Sequence, residues 1–372
     1  FARFLGVRAA VSFSSGRAGI YHLLKALDFA PGDEIIVPAY TFFIVPAAVR
    51  LAGLTPVFVD VDRRTLNLDM DRVEEAIGPR TRALIVAHLN WLPADLDRAA
   101  EIAERRGLAL IEDCAHACGA RLRGAPVGTR GVGCFAFGVG KNLSTLGGGM
   151  ITTSEDGLAA RLREVRDAMG FMPYEDLRGV FFGGLAQRLL TEPSVFTLTA
   201  YPVLRALMRR DPEKLMARFE DVKDMPSETP ASFNLRLSNL QAALGLEQLK
   251  RIEARNARRR ANAAVLTETL GDLEGVGLPT PLPETEGAFL HYTLRLGKRD
   301  RLVALAMARG VDLQRDYCSS CPDLPFLAEF ARDCPNARAL PREVVYVPNH
   351  PSLTEADMRE IGSRVREAIL AL

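Results

Sequence analysis

Residues 133–153 read GCFAFGVGKNLSTLGGGMITT, and Lys141 is the only charged residue among them. A lone cation among small and apolar neighbours is held where water is scarce. Desolvation disfavours the ammonium, so the amine can become a nucleophile near neutral pH, as capture of an aldehyde as a Schiff base requires. The plainer alternative is a solvated loop lysine beside a glycine turn. A phosphate-loop reading fails on spacing, because Phe135 stands where its first glycine belongs and Asn142 where its Ser or Thr belongs.

Three further groups fit around that lysine. Asp113 follows the strand-like run LALIE, which reads as buried. A carboxylate so placed calls for a cationic partner, since a lone buried charge is costly, and a protonated pyridine nitrogen would serve. Ser14, Ser15 and Gly16 follow a short apolar run and precede a helical pattern with Ile20, Leu23, Leu24 and Leu27 on one face. A serine would cap that helix, and its N-terminus is a ready seat for phosphate. His88 and His116 also follow predicted strands. Aldehyde, pyridinium and phosphate together describe pyridoxal 5′-phosphate.

The elements that position these groups alternate. Strand patterns at 11–13, 34–37, 56–59, 83–87, 108–112, 134–137 and 150–153 are interleaved with helical patterns at 17–27, 40–51, 71–77 and 96–105. Alternation of this kind predicts an α/β fold with a largely parallel mixed sheet sandwiched by helices. Sites in such sheets lie at the carboxyl ends of the strands, where Asp113, His116, His88 and Lys141 all fall. A long helix is expected over 238–270, with Leu240, Leu244, Leu246, Leu249 and Ile252 fixing it to the sheet. Beyond it the pattern changes to strands at 288–296 and 343–347 and helices at 299–309 and 354–370. The expected division is a large domain over 1–255 and a smaller C-terminal α+β domain over 256–372. Between them 171–232 breaks the rhythm, with FFGGLAQRLL and VFTLTAYPVLRALMRR reading as two amphipathic helices around Glu192 and Pro193. An elaboration packed on the domain surface or at a subunit interface is expected there, in preference to a lid over an apolar substrate or a patch on a membrane surface.

The 372 residues, 48% hydrophobic and 25% charged, are ordinary for an enzyme, and a net charge of +1 gives no reason to expect a nucleic-acid partner. No apolar run is a confident membrane span. The chain opens at Phe1 inside a helical pattern, so residues are expected to precede it. The six cysteines read as reduced thiols, which fits a cytoplasmic setting. Cys318 and Cys321 form a CxxC without a second pair, and Cys114, His116 and Cys118 lack a fourth ligand, so no metal site is expected.

The blocks VSFSSGRAGIYHLLKAL, PGDEIIVPAYTF, PVFVDVD, HLNWLPADLD, LALIEDCAHACGA, GCFAFGVGKNLSTLGGGMITT and FNLRLSNLQAALGLEQLKRI resemble, in order, the DegT/DnrJ/EryC1/StrS aminotransferases. The resemblance implies a fold-type-I pyridoxal-phosphate transferase, with Lys141 as the Schiff-base lysine that forms the covalent aldimine and Asp113 as the partner of the pyridine nitrogen. It implies His116 beside the cofactor ring, Phe42 stacked on it, and Gly16, Arg17 and Ala18 as the phosphate turn. Asn234 would reach the phosphate of a neighbouring subunit, which implies a homodimer with shared active sites. The implied reaction moves an amino group from L-glutamate to a ketone or aldehyde such as a keto-sugar nucleotide.

Three departures stand out. Arg17 replaces a hydroxyl residue, Ala136 replaces a serine, and Gly147 replaces a glutamate in the glycine loop. These and the apolar 171–232 segment leave two alternatives open: a lyase or condensing enzyme acting on a non-sugar or lipid-like substrate, and a non-catalytic scaffold of the same fold. Retention of both Lys141 and Asp113 argues against the scaffold.

Overall fold

Seven strands build the central sheet: β1 (Ala9–Phe13), β2 (Glu34–Pro38), β3 (Thr55–Val59), β4 (Thr81–Ala87), β5 (Ala109–Asp113), β6 (Val132–Ala136) and β7 (Gly149–Thr153). The computed structural model describes residues 1–203, 206, 229–278, 280–315 and 317–372. The spatial order is β1-β7-β6-β5-β4-β2-β3. Only β7 runs against its neighbours; the other pairings are parallel. The inner strands are apolar almost without interruption, as they must be when helices cover both faces. The mixed, mostly parallel α/β sheet expected from the alternation is present.

The topology gathers chain ends at one edge. Phe13, Pro38, Ala87, Asp113 and Ala136 end their strands there, and β7 starts there because it is antiparallel. The helix Gly16–Ala26 leaves β1 at that edge. Ser15 caps it by accepting the Ala18 N–H at 3.2 Å, and Ile20, Leu23 and Leu24 bury its inner face.

Three expectations are corrected. Residues 40–51 are not one helix: Tyr40–Thr41 is a short strand paired with Ser319–Ser320, and the helix is Ile44–Leu51. Backbone pairing with a distant segment outweighs local helical pattern here. The expected helix over 238–270 is two, Asn239–Leu249 and Ile252–Leu270. Ile252 is buried, whereas Leu240 and Leu246 are 51% and 61% exposed, so no single apolar face runs through both. In the 171–232 segment the first helix is Tyr174–Leu190, longer than expected and with no buried residue, and the second is Pro193–Leu198. The remainder of that expectation, residues 204–205 and 207–228, lies outside the described residues.

Among the described residues there are two hydrophobic cores. The larger surrounds the central sheet and also takes in Cys318, Cys321, Leu327 and Leu340. The smaller joins Ile252–Leu270 to the strand pair His291–Arg295 and Val344–Pro348 and to helices Arg299–Ala308 and Glu355–Leu370. The last of these opens with a reciprocal Thr354–Asp357 capping box.

Candidate active site

Lys141 sits on the loop between β6 and β7. That loop folds back on itself: the N–H groups of Thr145 and Gly147 both reach the Phe137 carbonyl, and Gly148 N–H reaches the Ser14 carbonyl at 2.8 Å. Gly147 and Gly148 hold φ of 139° and 101°, and a Cβ on Gly148 would stand 2.5 Å from Leu237. Only glycine fits there. The neighbouring Asn142 is buried and donates to Asn256 at 3.1 Å and to the Ala288 carbonyl, tying the loop to the helix Ile252–Leu270. The lysine is thus carried by a loop pinned at several points.

Burial pulls the Lys141 ammonium down to about 8, against the attraction of the Asp113 carboxylate. Its Nζ lies 3.5 Å from the Tyr317 hydroxyl and 5.2 Å from the centre of that ring. Burial pushes the Tyr317 phenol up to about 12, so it stays neutral. Asp113 ends β5 between Ala87 and Cys134. Its carboxylate accepts the Ala115 N–H at 3.0 Å, and burial raises its pKa while that bond and the Lys141 ammonium oppose the rise. His116 is buried and stays neutral, mainly through desolvation, with Lys141 adding repulsion. Its ring stacks on Trp91 at 5.6 Å, and its Nδ1 has no hydrogen-bond partner.

These groups line one cavity of about 1320 Å³, together with Phe42, Gly16 and Arg17. The cavity runs on to Arg299, Arg315 and Arg342 of the C-terminal region and is met on another side by Phe196. The first N–H groups of a helix have no intrahelical acceptor, and Gly16 and Arg17, which open this helix, line the cavity. A Cβ on Gly16 would stand 2.7 Å from that of Ala136, so the small residue at 136 leaves the turn its closest approach to β6. Ala18 is fully buried, does not line the cavity, and gives its N–H to Ser15. Asn234 is exposed in the turn Ala231–Asn234 and does not line its own chain's cavity.

Sequence reading missed what stands behind Asp113. Glu112 is wholly buried and accepts the N–H groups of Gly128, Arg130 and Gly131 at 2.6–2.9 Å. His88 Nδ1 accepts from Ala94 N–H at 3.0 Å, so its Nε2 carries the proton and donates to Glu112 at 3.2 Å. These bonds keep Glu112 ionised despite its burial. His88, Glu112 and Cys114 are close enough to bind a metal, but the first two are fully engaged in this clasp. His116 and Cys118 belong to no metal-compatible group among the described residues, and all six cysteines are buried and outside any disulfide. Tyr317 and Trp91 also escaped the sequence. Asn90 and Trp91 have φ of 53° and 63°, a conformation that residue type does not announce.

Comparison with known proteins gives the chemistry its context. A family model described as the DegT/DnrJ/EryC1/StrS aminotransferase family matches residues 1–178 and 209–366. A UDP-N-acetyl-3-dehydro-alpha-D-glucosamine 3-aminotransferase of Acidithiobacillus ferrooxidans is 31% identical over 98% of this chain and 85% of its own length. A dTDP-3-amino-3,4,6-trideoxy-alpha-D-glucose transaminase of Streptomyces venezuelae is 32% identical over 99% of this chain and 84% of its own. Among solved structures, DesV of S. venezuelae superposes with a TM-score of 0.78 at 32% identity, covering 98% of this chain and 86% of that one. TlmJ of Streptoalloteichus hindustanus gives 0.77 at 27% identity over 100% and 89%. With near-complete coverage by the family model and by these relatives, the chain belongs to the DegT/DnrJ/EryC1/StrS family and is an aminotransferase.

Proposed function

We propose that the chain holds pyridoxal 5′-phosphate covalently through Lys141 and uses it to move an amino group from L-glutamate to a carbonyl carbon of a sugar nucleotide. The observation that carries this reading is the convergence of Lys141, Asp113, His116, Phe42 and the Gly16 helix start on one cavity. The cofactor is implied by the family, and the residues present fit it. Asp113 is a buried carboxylate whose pKa burial raises, and a pyridinium would restore its ionised form. His116 has an orphaned buried nitrogen, and the Gly16 turn is a cradle that a side chain would fill. When bound, the cofactor supplies an electron sink for the carbanion formed at the donor's Cα.

The protein's own residues do the rest. Asp113 would hold the pyridine nitrogen protonated. The Lys141 amine, once free, would take the proton from the donor's Cα as general base and, as general acid, deliver it to the carbon that had been the cofactor's aldehyde, so that the nitrogen stays on the cofactor. A pKa of about 8 suits both roles near neutral pH. Tyr317 holds the Nζ in place and, being neutral, accepts a hydrogen bond from the ammonium. Removing that acceptor should favour the free amine. In Tyr317→Phe the pH dependence of cofactor capture by the apoprotein should therefore shift to lower pH, with the ring contact retained. An unshifted profile would remove Tyr317 from this role.

Arg17 is exposed at the cavity wall and is the cation nearest in sequence to the phosphate turn. We assign it the phosphate contact that a hydroxyl gives elsewhere in the family. A charge-assisted hydrogen bond contributes about 1.5–3 kcal/mol, so Arg17→Ala should weaken cofactor binding by roughly 10- to 100-fold. An equilibrium dissociation constant equal to wild type would refute the assignment.

The sugar-nucleotide acceptor rests on the activities of the relatives and on cavity volume beyond what a cofactor fills, with arginines at the far end. A homodimer with shared active sites is supported by exposed Asn234 and by the uncovered Leu240 and Leu246 beside it. Six buried cysteines outside any disulfide fit a cytoplasmic setting. The test is an absorbance spectrum before and after glutamate. A visible band that glutamate converts to a shorter-wavelength form supports the reading. A band indifferent to glutamate would reassign the donor, and no band after adding pyridoxal phosphate would overturn the reading.

A further inference from the structure

Beside Asp113 in the chain stands a second carboxylate that meets no solvent. Glu112 is buried, and both of its oxygens are engaged. Oε1 accepts the N–H groups of Arg130 and Gly131 at 2.8 and 2.9 Å. Oε2 accepts the Gly128 N–H at 2.6 Å and the His88 Nε2–H at 3.2 Å. A Cβ at position 128 would stand 2.5 Å from Phe135, and one at 131 would collide with the Leu110 carbonyl, so glycines let these donors close on the carboxylate. His88 is bound at both ring nitrogens, and its own backbone N–H reaches the Asp113 carbonyl at 3.0 Å. One anion thus ties the end of β5 to both neighbours: to β4 through His88, and to β6 through the loop that enters it.

Stability alone is a poor reason for such an anion. A carboxylate taken out of water and met by neutral donors gives little or nothing over a well-packed apolar side chain. What it adds is direction, because four bonds converge on it at fixed angles. The place so fixed is that of Asp113. β5 is paired with β6 only from Ile111 to Asp113, so the ladder ends at the residue that faces the cavity. Side chains alternate along a strand, which sends Glu112 and Asp113 to opposite faces. Among the described residues the Asp113 carboxylate accepts one hydrogen bond, from the Ala115 N–H, so its aim depends on the backbone that carries it.

We propose that Glu112 and His88 form a positioning unit that aims the Asp113 carboxylate in the reaction cavity. The inference rests on the role proposed above for Asp113 toward the pyridine nitrogen.

Glu112→Gln keeps the shape but cannot keep the bonds. An amide has one acceptor oxygen, so its NH2 must face either the Gly128 N–H or those of Arg130 and Gly131, and backbone donors cannot switch roles. A displacement of about 1 Å can cost about 100-fold, so the glutamate half-reaction, followed by cofactor absorbance in a single turnover, should slow by about 10- to 100-fold. Saturation by glutamate should stay close to wild type. The isotope effect with Cα-deuterated glutamate should rise. The absorbance of bound cofactor, read before any substrate is added, should move toward that of Asp113→Asn. The double variant Glu112→Gln/Asp113→Asn should be no slower than Asp113→Asn, since a group that acts through Asp113 then has nothing left to aim.

A second pair of variants decides the matter if Glu112→Gln does not fold. His88→Gln places an amide where Nε2 was and keeps a donor for Glu112, whereas His88→Asn places one near Nδ1 and loses that donor. The asparagine variant should be the slower by roughly tenfold and show the same spectral change. A folded Glu112→Gln with the rate and spectrum of wild type would overturn the proposal. So would losses that multiply in the double variant, or His88→Asn matching His88→Gln. Asp113→Asn as fast as wild type would instead overturn the role of Asp113 itself, and this inference with it.

Discussion

Lys141→Ala should abolish amino transfer, with a fall of about 10⁴-fold, the upper range for loss of a positioned acid–base group. The change is expected to act on chemistry and not on folding. The side chain's described contacts are the Tyr317 hydroxyl and ring, and the loop is held by backbone bonds and by Asn142. The variant should melt like wild type and lack the absorbance of covalently held cofactor. The same amine sets a pH dependence in the wild-type apoprotein. With its pKa at about 8, the neutral, nucleophilic form dominates above pH 8. Each pH unit below that reduces it about tenfold. Capture of pyridoxal phosphate should slow accordingly as the pH falls from 8 to 6. A rate flat across that range would mean that a different amine is the nucleophile.

Asp113→Asn should reduce turnover by about 10²- to 10³-fold, the usual cost of removing one preorganised charge from a water-poor site. Asparagine keeps the shape and still accepts the Ala115 N–H, so the sheet edge and the Glu112 clasp behind it should survive. What would be lost is the anion that, in the proposed function, keeps the pyridine nitrogen protonated. The signature is therefore specific: cofactor stays bound, its spectrum responds to glutamate, and proton removal at Cα becomes limiting. A full primary isotope effect with Cα-deuterated glutamate would show this. An Asn variant as fast as wild type would remove Asp113 from the chemistry.

Much of this was legible before any coordinates. Lys141, Asp113 and His116 stand out because polar types follow apolar strand patterns, and a parallel sheet sends those positions to one edge. The helix over 17–27 was equally plain, since its cap and its apolar face agree. What failed has physical causes. Tyr40 and Thr41 carry helix-compatible neighbours but pair with Ser319 and Ser320, a contact across the chain that no local pattern encodes. Lys250 and Arg251 interrupt a sequence whose composition favours helix throughout, because the two halves bury different sides. Glu112 looked like one more residue of a strand. Its meaning comes from three backbone donors on a loop 16 to 19 residues away. Tyr317 reaches Lys141 from 176 positions away, and a lone tyrosine gives no sign of that.

Trp91 is the only tryptophan in the chain, so the intrinsic indole emission comes from one place. That place is against His116 and edge-on to Tyr317, both in the wall of the reaction cavity. The left-handed backbone at Asn90 and Trp91 turns the indole inward, where it is 1% exposed. A chromophore held beside His116 would lie within short-range energy transfer of this single donor. If the cofactor binds as proposed, light emitted by the unmodified protein would gauge its occupancy, free of background from any second indole.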